Sequence, residues 1–157
     1  MDPVSKSPRV PPRWFIRSAW LVHRAVYRLT GGRFGLRRPK PTNWGTLRLH
    51  TLGRRSGEPR VAILGYFEDG PNLITLAMNG WAAPEPAWWL NLQAHLDSSV
   101  DLPDGSRPVV GRAATGEERK RLWERWDEVA DGIDGYARLR PTETAVVVLE
   151  PRVPALG

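Results

Sequence analysis

The segment Gly53-Arg54-Arg55-Ser56-Gly57-Glu58-Pro59-Arg60 gathers three arginines, a serine and two glycines around a single turn. Backbone N–H groups in a glycine turn form an anion-binding concavity. Guanidinium groups beside it add charge-assisted hydrogen bonds to phosphate or carboxylate. The chemistry on offer is therefore capture of an anion by Arg54, Arg55 and Arg60. The loop is not a Walker loop, because it lacks the Gly-Lys-Ser/Thr ending and the helix that should follow. A solvated hairpin without a ligand is the plainer reading of the same residues.

A second segment runs from Ala77-Met78-Asn79-Gly80 to Pro86-Ala87-Trp88-Trp89-Leu90-Asn91-Leu92. A strand ends in a glycine turn and passes to a helix, whose free N–H groups at its start suit carbonyl or phosphate oxygens. Trp88 or Trp89 can wall a flat slot; the plainer reading puts both in the core, and it suits at least one of them. Asn91 lies one turn after Trp88 and, if buried, needs hydrogen-bond partners.

Acid–base and metal chemistry find little support. Cys is absent, which excludes disulfides, thiolate metal sites and a cysteine nucleophile. The three histidines, His23, His50 and His95, stand too far apart in the chain for a multi-histidine site. His50 sits among Leu and Thr on a strand pattern and reads as a structural side chain. The acids Glu117, Glu118, Glu124 and Asp127 alternate with Arg119, Lys120, Arg121 and Arg125, as on a solvated ion-pair face. A slot with anion-binding loops and no acid–base apparatus points to a cofactor that carries the chemistry itself.

These segments must be positioned by a scaffold of short strands. Gly45–Leu52 alternates Leu47 and Leu49 with Arg48 and His50, the pattern of a half-buried strand. Arg60–Phe67 and Leu73–Met78 follow as strands, separated by Glu68-Asp69-Gly70-Pro71-Asn72. Pro84 and Pro86 open a helix predicted to run to about Leu96, with Trp88, Leu92 and Leu96 on one side. Ser99–Leu102 and Pro108–Ala114 flank a hairpin loop, and Thr115-Gly116-Glu117-Glu118 reads as a capping box for a helix reaching about Ala130. Thr144–Glu150 is a buried last strand. Hairpin-length connections exclude a doubly wound parallel sheet and predict an antiparallel barrel, closed or half-closed.

The 157 residues suit one domain, and eight tryptophans in so short a chain suit slots for planar ligands as well as cores. The formal charge of +6 is unevenly placed. Residues 1–40 carry ten Lys or Arg and one acid, Asp2, a net +9; the remainder carries thirteen basic and sixteen acidic side chains, a net −3. The expected organisation is a Pro-rich tail over 1–12, an amphipathic basic helix and connector over 13–41, a barrel over 42–152 and a tail over 153–157. In the helix, Phe15, Ala19, Val22, Val26 and Leu29 share one face, and Arg13, Arg17, Arg24 and Arg28 lie opposite. That face either packs on the barrel or rests on an anionic membrane surface through residues 13–29, with Trp14 and Trp20 at headgroup level. Arginines interrupt the apolar stretch, so it is neither a secretory signal nor a spanning helix. The expected location is the cytoplasm, or the inner face of the cell membrane. No nucleic-acid-binding pattern is present, so nucleic acid is not expected as a partner.

At Thr51–Arg60, Pro86–Leu92 and Val146-Val147-Val148-Leu149-Glu150-Pro151 the sequence resembles the deazaflavin-dependent nitroreductase family of actinobacteria. The resemblance extends from about Thr30 to Pro151. It implies an α+β, mainly β fold, a six-stranded antiparallel split β-barrel with flanking helices. It also implies coenzyme F-420, an 8-hydroxy-5-deazaflavin with a phosphate and oligoglutamate tail, as cofactor, and a quinone-like or nitroaromatic compound as hydride acceptor. Carried over by position, Arg54, Arg55 and Arg60, with Ser56 and Gly57 between them, hold the anionic tail. Met78, Asn79 and Gly80 lie near the phosphate, Ala87, Trp88 and Asn91 near the rings, and Tyr136 faces the acceptor as the catalytic side chain. Related barrels often form homodimers. Met78 and Trp81 stand where the family usually has Ser and often has Gly. This keeps open a second reading, a non-catalytic barrel binding a lipid or other flat apolar ligand at the membrane. A flavin or haem binder on the same barrel class is a third.

Overall fold

The alternation in the first strand sets the inside and outside of the molecule. In the computed structural model, which describes residues 36–78, 84–130 and 133–152, Leu47 and Leu49 are fully buried. Arg48 and His50 project from the opposite face, where both meet the Asp101 carboxylate, His50 Nε2 at 2.8 Å. His50 is thus a paired structural side chain, as its surroundings in the sequence suggest.

The described elements run β1 (Gly45–Leu52), β2 (Pro59–Asp69), β3 (Asn72–Leu76), α1 (Ala87–Ala94), β4 (Asp97–Leu102), β5 (Gly105–Ala113), α2 (Gly116–Ala130), α3 (Ile133–Ala137) and β6 (Val146–Pro151). Hydrogen-bonded neighbours follow the order β1-β2-β3-β6-β5-β4, and β4 pairs back to β1, closing a barrel in which every described pair is antiparallel. Closure leaves no free sheet edge. The six-stranded antiparallel barrel expected from the sequence is the observed fold.

Two apolar clusters hold it. The first fills the barrel with Leu47, Leu49, Tyr66, Val100, Val109, Val147 and Leu149, and α1 adds Trp88, Trp89 and Leu92. The second lies outside, where Leu122, Trp126 and Val129 of α2 and Ile133 of α3 cover Phe67, Ile74, Leu76, Val146 and Val148. Odd residues of β6 therefore face in and even ones face α2. That is why Val146–Leu149 reads as a continuous apolar run rather than an alternating one.

Some boundaries differ from expectation. The helix α1 stops at Ala94, not Leu96: His95 is already extended (φ −136°, ψ 95°) and Leu96 is exposed. Strand β4 accordingly begins at Asp97, and β2 is longer than Arg60–Phe67 at both ends. The five-residue α3 was not anticipated, because Gly135 at its centre weakens any helical signal. The expected helix over 13–29 and both tails lie outside the described residues.

The charges of α2 do more than solvate a face. Arg121 makes two hydrogen bonds to Asp69 at 2.8 and 3.0 Å, and Arg112 of β5 makes two to Glu118 at 2.5 and 2.9 Å and also meets Glu150. Arg119 donates to the Thr144 carbonyl at 2.8 Å. These pairs reach from the helix to the barrel, whereas Arg125–Glu128 stays within the helix. The hydrogen-bonded Arg121 guanidinium holds the Asp69 carboxyl below the ordinary carboxylate range, and Arg112 does the same for Glu118. At Asp101 burial acts upward, but hydrogen bonds from His50, Ser106 and Arg48 outweigh it and leave the carboxyl lowered.

Two outcomes follow for stability. A Cβ at Gly111 would lie 2.4 Å from Leu92 Cδ2 and 2.8 Å from its Cγ, and Leu92 is fully buried. Gly111→Ala should therefore cost about 1–3 kcal/mol in urea unfolding, the usual range for an overpacked core. Carboxyls lowered on folding stabilise the protein above the unfolded carboxylate pKa of about 4, and that contribution is lost as pH falls through their folded values. Melting temperature should be flat from pH 7 to 5 and fall below about pH 4, and Asp101→Asn should lower the plateau and shallow the fall.

Candidate functional site

The β1–β2 connection is fixed by its own backbone. The Gly53 N–H donates to the Glu58 carbonyl at 2.8 Å, the Gly57 N–H to the Gly53 carbonyl at 2.8 Å, and the Glu58 N–H to Ser56 Oγ at 3.2 Å. Gly57 has φ 69°, the left-handed region that favours glycine. A Cβ at Gly53 would sit 2.6 Å from Ser56 Oγ and would displace the hydroxyl that accepts from the Glu58 N–H.

Asn91 ties this loop to α1. The Asn91 Oδ1 accepts hydrogen bonds from the Arg54 backbone N–H at 3.1 Å and from Arg54 Nη1 at 3.4 Å, while Nδ2 donates to Thr51 Oγ1 at 3.4 Å. The partners that a buried Asn91 requires are thus found on β1 and its turn. Pro86 sits in extended conformation (φ −66°, ψ 141°) just ahead of α1, so Ala87 and Trp88 open the helix beside the loop.

Loop, helix start and the outer side of β2 enclose a cleft of about 840 Å³, within the range usual for small-molecule and cofactor sites. Arg54, Arg55, Ser56, Arg60, Met78, Ala87, Trp88, Asn91 and Tyr136 all line it. Gly57 does not; its contribution is the turn itself. Asn79 and Gly80 lie outside the described residues, as does Trp81. Both tryptophans are buried in the barrel cluster, with ring centroids 6.2 Å apart in edge-to-face contact, and Trp88 also lines the cleft whereas Trp89 does not. Met78 is well exposed at the cleft rather than plugging it.

Other walls escaped the sequence reading. Val61–Gly65 of β2 line the cleft, as do Trp44, Trp126 and Ile133, which share the outer apolar cluster. A Cβ at Gly65 would meet the Trp44 ring at 2.8 Å, so that glycine lets the indole lie against the strand. The signal was present: both faces of β2 are apolar at Val61-Ala62-Ile63-Leu64, beside a β1 whose outer face is charged. Trp126 packs edge-to-face on Phe67 at 5.1 Å, a contact between α2 and β2 that no local pattern announces.

The electrostatics are one-sided. The described lining contains three arginines and no carboxylate. Arg60 approaches Glu58 at 3.5 Å with both side chains more than half exposed, a weak pair in water. Arg54 and Arg55 have no ion pair among the described residues. No group of three or more His, Cys, Asp or Glu able to hold a metal ion occurs among them either. Such a cleft can seat a flat apolar body that carries an anionic extension. Its described lining contains neither paired acids nor a nucleophile–base set.

The family model described as F420H(2)-dependent quinone reductase matches residues 20–151. An F420H(2)-dependent quinone reductase of Mycobacterium tuberculosis is 34% identical over 147 residues, 89% of this chain and 97% of its own. Among solved structures, an F420-H2 dependent reductase, FDR-A, superposes with a TM-score of 0.62 at 24% identity, over 74% of this chain and all of its own. A domain-swapped dimer superposes with a TM-score of 0.63 at 23% identity, over 85% of this chain and 99% of its own. At that identity the two structures speak for the barrel. The family match and the relative in M. tuberculosis decide the kinship, and the chain belongs to the F420H(2)-dependent quinone reductase family.

Proposed function

We propose that the arginine end of the cleft holds the anionic tail of coenzyme F-420 and that the Trp88 wall receives its ring system. As a member of its family the chain is an oxidoreductase with that coenzyme as cofactor. The observation that carries the assignment of residues is the lining itself, three arginines without a carboxylate at one end of an apolar cleft. When bound, the reduced deazaflavin supplies a hydride to a quinone-type acceptor. The protein's part is to hold donor and acceptor together and to keep water out.

Each residue has a task on this reading. Arg54 and Arg55 give charge-assisted hydrogen bonds to phosphate or carboxylate oxygens, and Arg60 adds a third cation after releasing Glu58. Asn91 holds Arg54 in place through its backbone N–H and guanidinium. Ala87 leaves room at the helix start, and Trp88 offers a flat face. Tyr136 donates its hydroxyl proton toward the acceptor oxygen that gains negative charge. The acceptor is lipophilic, and the basic segment 13–29 brings the protein to an anionic membrane surface where such acceptors dissolve. No described helix is long and apolar enough to cross a membrane. A barrel for an uncharged apolar ligand would leave Arg54 and Arg55 without a task, and the family membership favours the reductase over it.

Tryptophan quenching tests the cofactor site. Coenzyme F-420 should quench Trp88 emission saturably, and Arg54→Ala and Arg55→Ala should each raise its Kd about tenfold, equivalent to 1.4 kcal/mol. The loss should shrink at high salt. The tail-less parent deazaflavin should bind wild type and both variants alike; equal losses for the two ligands would remove the assignment of the arginines to the tail. For the arm, the full chain should co-sediment with vesicles containing anionic phospholipid at low salt and less so at high salt. Equal pelleting after deletion of residues 1–29 would show that the arm is not the anchor.

A further inference from the structure

Arg140 lies in the connection between α3 and β6, and its side chain has no exposed surface. Its guanidinium makes three described contacts. Nη1 donates to Thr144 Oγ1 at 2.7 Å and to the Ala77 carbonyl at 3.4 Å, and Nη2 pairs with Glu85 Oε1 at 3.4 Å. Ala77 and Thr144 are themselves buried. The second Glu85 oxygen is buried without a hydrogen-bond partner among the described residues.

A well-packed apolar side chain often stabilises a fold as much as a buried ion pair does. What an apolar filler lacks is a set of directed bonds that fix the separation of the groups around it. Here those groups are two walls of the cleft. Ala77 immediately precedes Met78, and Glu85 immediately precedes Pro86 and Ala87, and all three of these lie in the cleft lining. Met78 follows the end of β3, whereas Pro86 and Ala87 stand at the start of the helix that carries Trp88. The five planar donors of a guanidinium suit this task, because one rigid fork reaches several acceptors at once.

We propose that Arg140 is a positioning residue for the cofactor rings. It braces the segment Ala77–Met78, just after β3, against the helix start that presents Ala87 and Trp88, and so sets the width of the slot. This rests on the reading that the Trp88 wall receives the deazaflavin.

The test is the Kd of two ligands, coenzyme F-420 and its tail-less parent deazaflavin, read by tryptophan quenching well below each variant's melting temperature. Arg140→Gln should weaken both ligands by the same factor, about tenfold, because the slot and not the tail grip is altered. Glu85→Gln, which leaves the bonds to Thr144 and Ala77 intact, should weaken both by a smaller common factor, about threefold. In turnover the cofactor KM should rise while kcat at saturation stays within threefold. If Arg140→Gln does not fold, Glu85→Gln alone is held to the same criterion. Unchanged Kd values, or a loss confined to the tailed ligand, would overturn the brace. Because Arg54→Ala and Arg55→Ala are expected to affect only the tailed ligand, failure of the brace is distinguishable from failure of the cofactor assignment.

Discussion

Asn91 is hydrogen-bonded to Arg54, 37 residues away in sequence, and so joins two distant pieces of chain. A carboxamide has an acceptor at one end and donors at the other. Here the oxygen takes both the backbone and the side chain of Arg54, while the nitrogen gives to Thr51. The geometry of the cleft depends on this arrangement. The arginine turn's own hydrogen bonds fix its shape, but not its place beside α1. Tied to Asn91, it stays beside the helix that carries Trp88, so cation and aromatic wall keep a fixed relation. Asn91 and Thr51 are buried, so at that end of the arrangement a lost partner is expensive.

The barrel supports that relation from beneath. Trp89 and Leu92 on one side of α1 enter the barrel cluster, which sets the helix in depth and rotation. Gly111 allows Leu92 to approach β5 closely. On the outside, α2 is held both by the apolar cluster around Trp126 and by arginine–carboxylate pairs to β2, β5 and the chain before β6. Surface pairs of this kind contribute little individually, but several that converge on one helix fix its orientation. Through α2 they also fix where Trp126 faces the cleft.

Much of this was legible in the residues. The alternation of Leu47 and Leu49 with Arg48 and His50, the glycine turns and the short connections all point to an antiparallel barrel. The arginine turn and the Pro-Ala-Trp-Trp helix start announce a site because their chemistry is local. What could not be read depends on long-range packing. Trp44 and Trp126 enter the cleft only because Gly65 and Phe67 on β2 accept their rings. The charges of α2 look like a self-contained face, since Asp69 and Glu143, the partners of Arg121 and Arg119, are far away in the chain. Arg140 looks like one more basic residue in a loop until the fold closes over it.

The last strand has a consequence for how the chain must be made. Val146, Val147, Val148 and Leu149 are hidden on both sides in the finished barrel, by the interior and by α2. Before that cover forms, the same residues are an uncharged, β-prone run able to pair with its counterpart on another molecule. Such stretches in natural proteins are fenced by charge or proline. Glu143 stands a few residues ahead of this one, and Glu150-Pro151 follows it directly. Newly synthesised chains therefore carry their own safeguard against clumping at the segment that completes the barrel last in sequence.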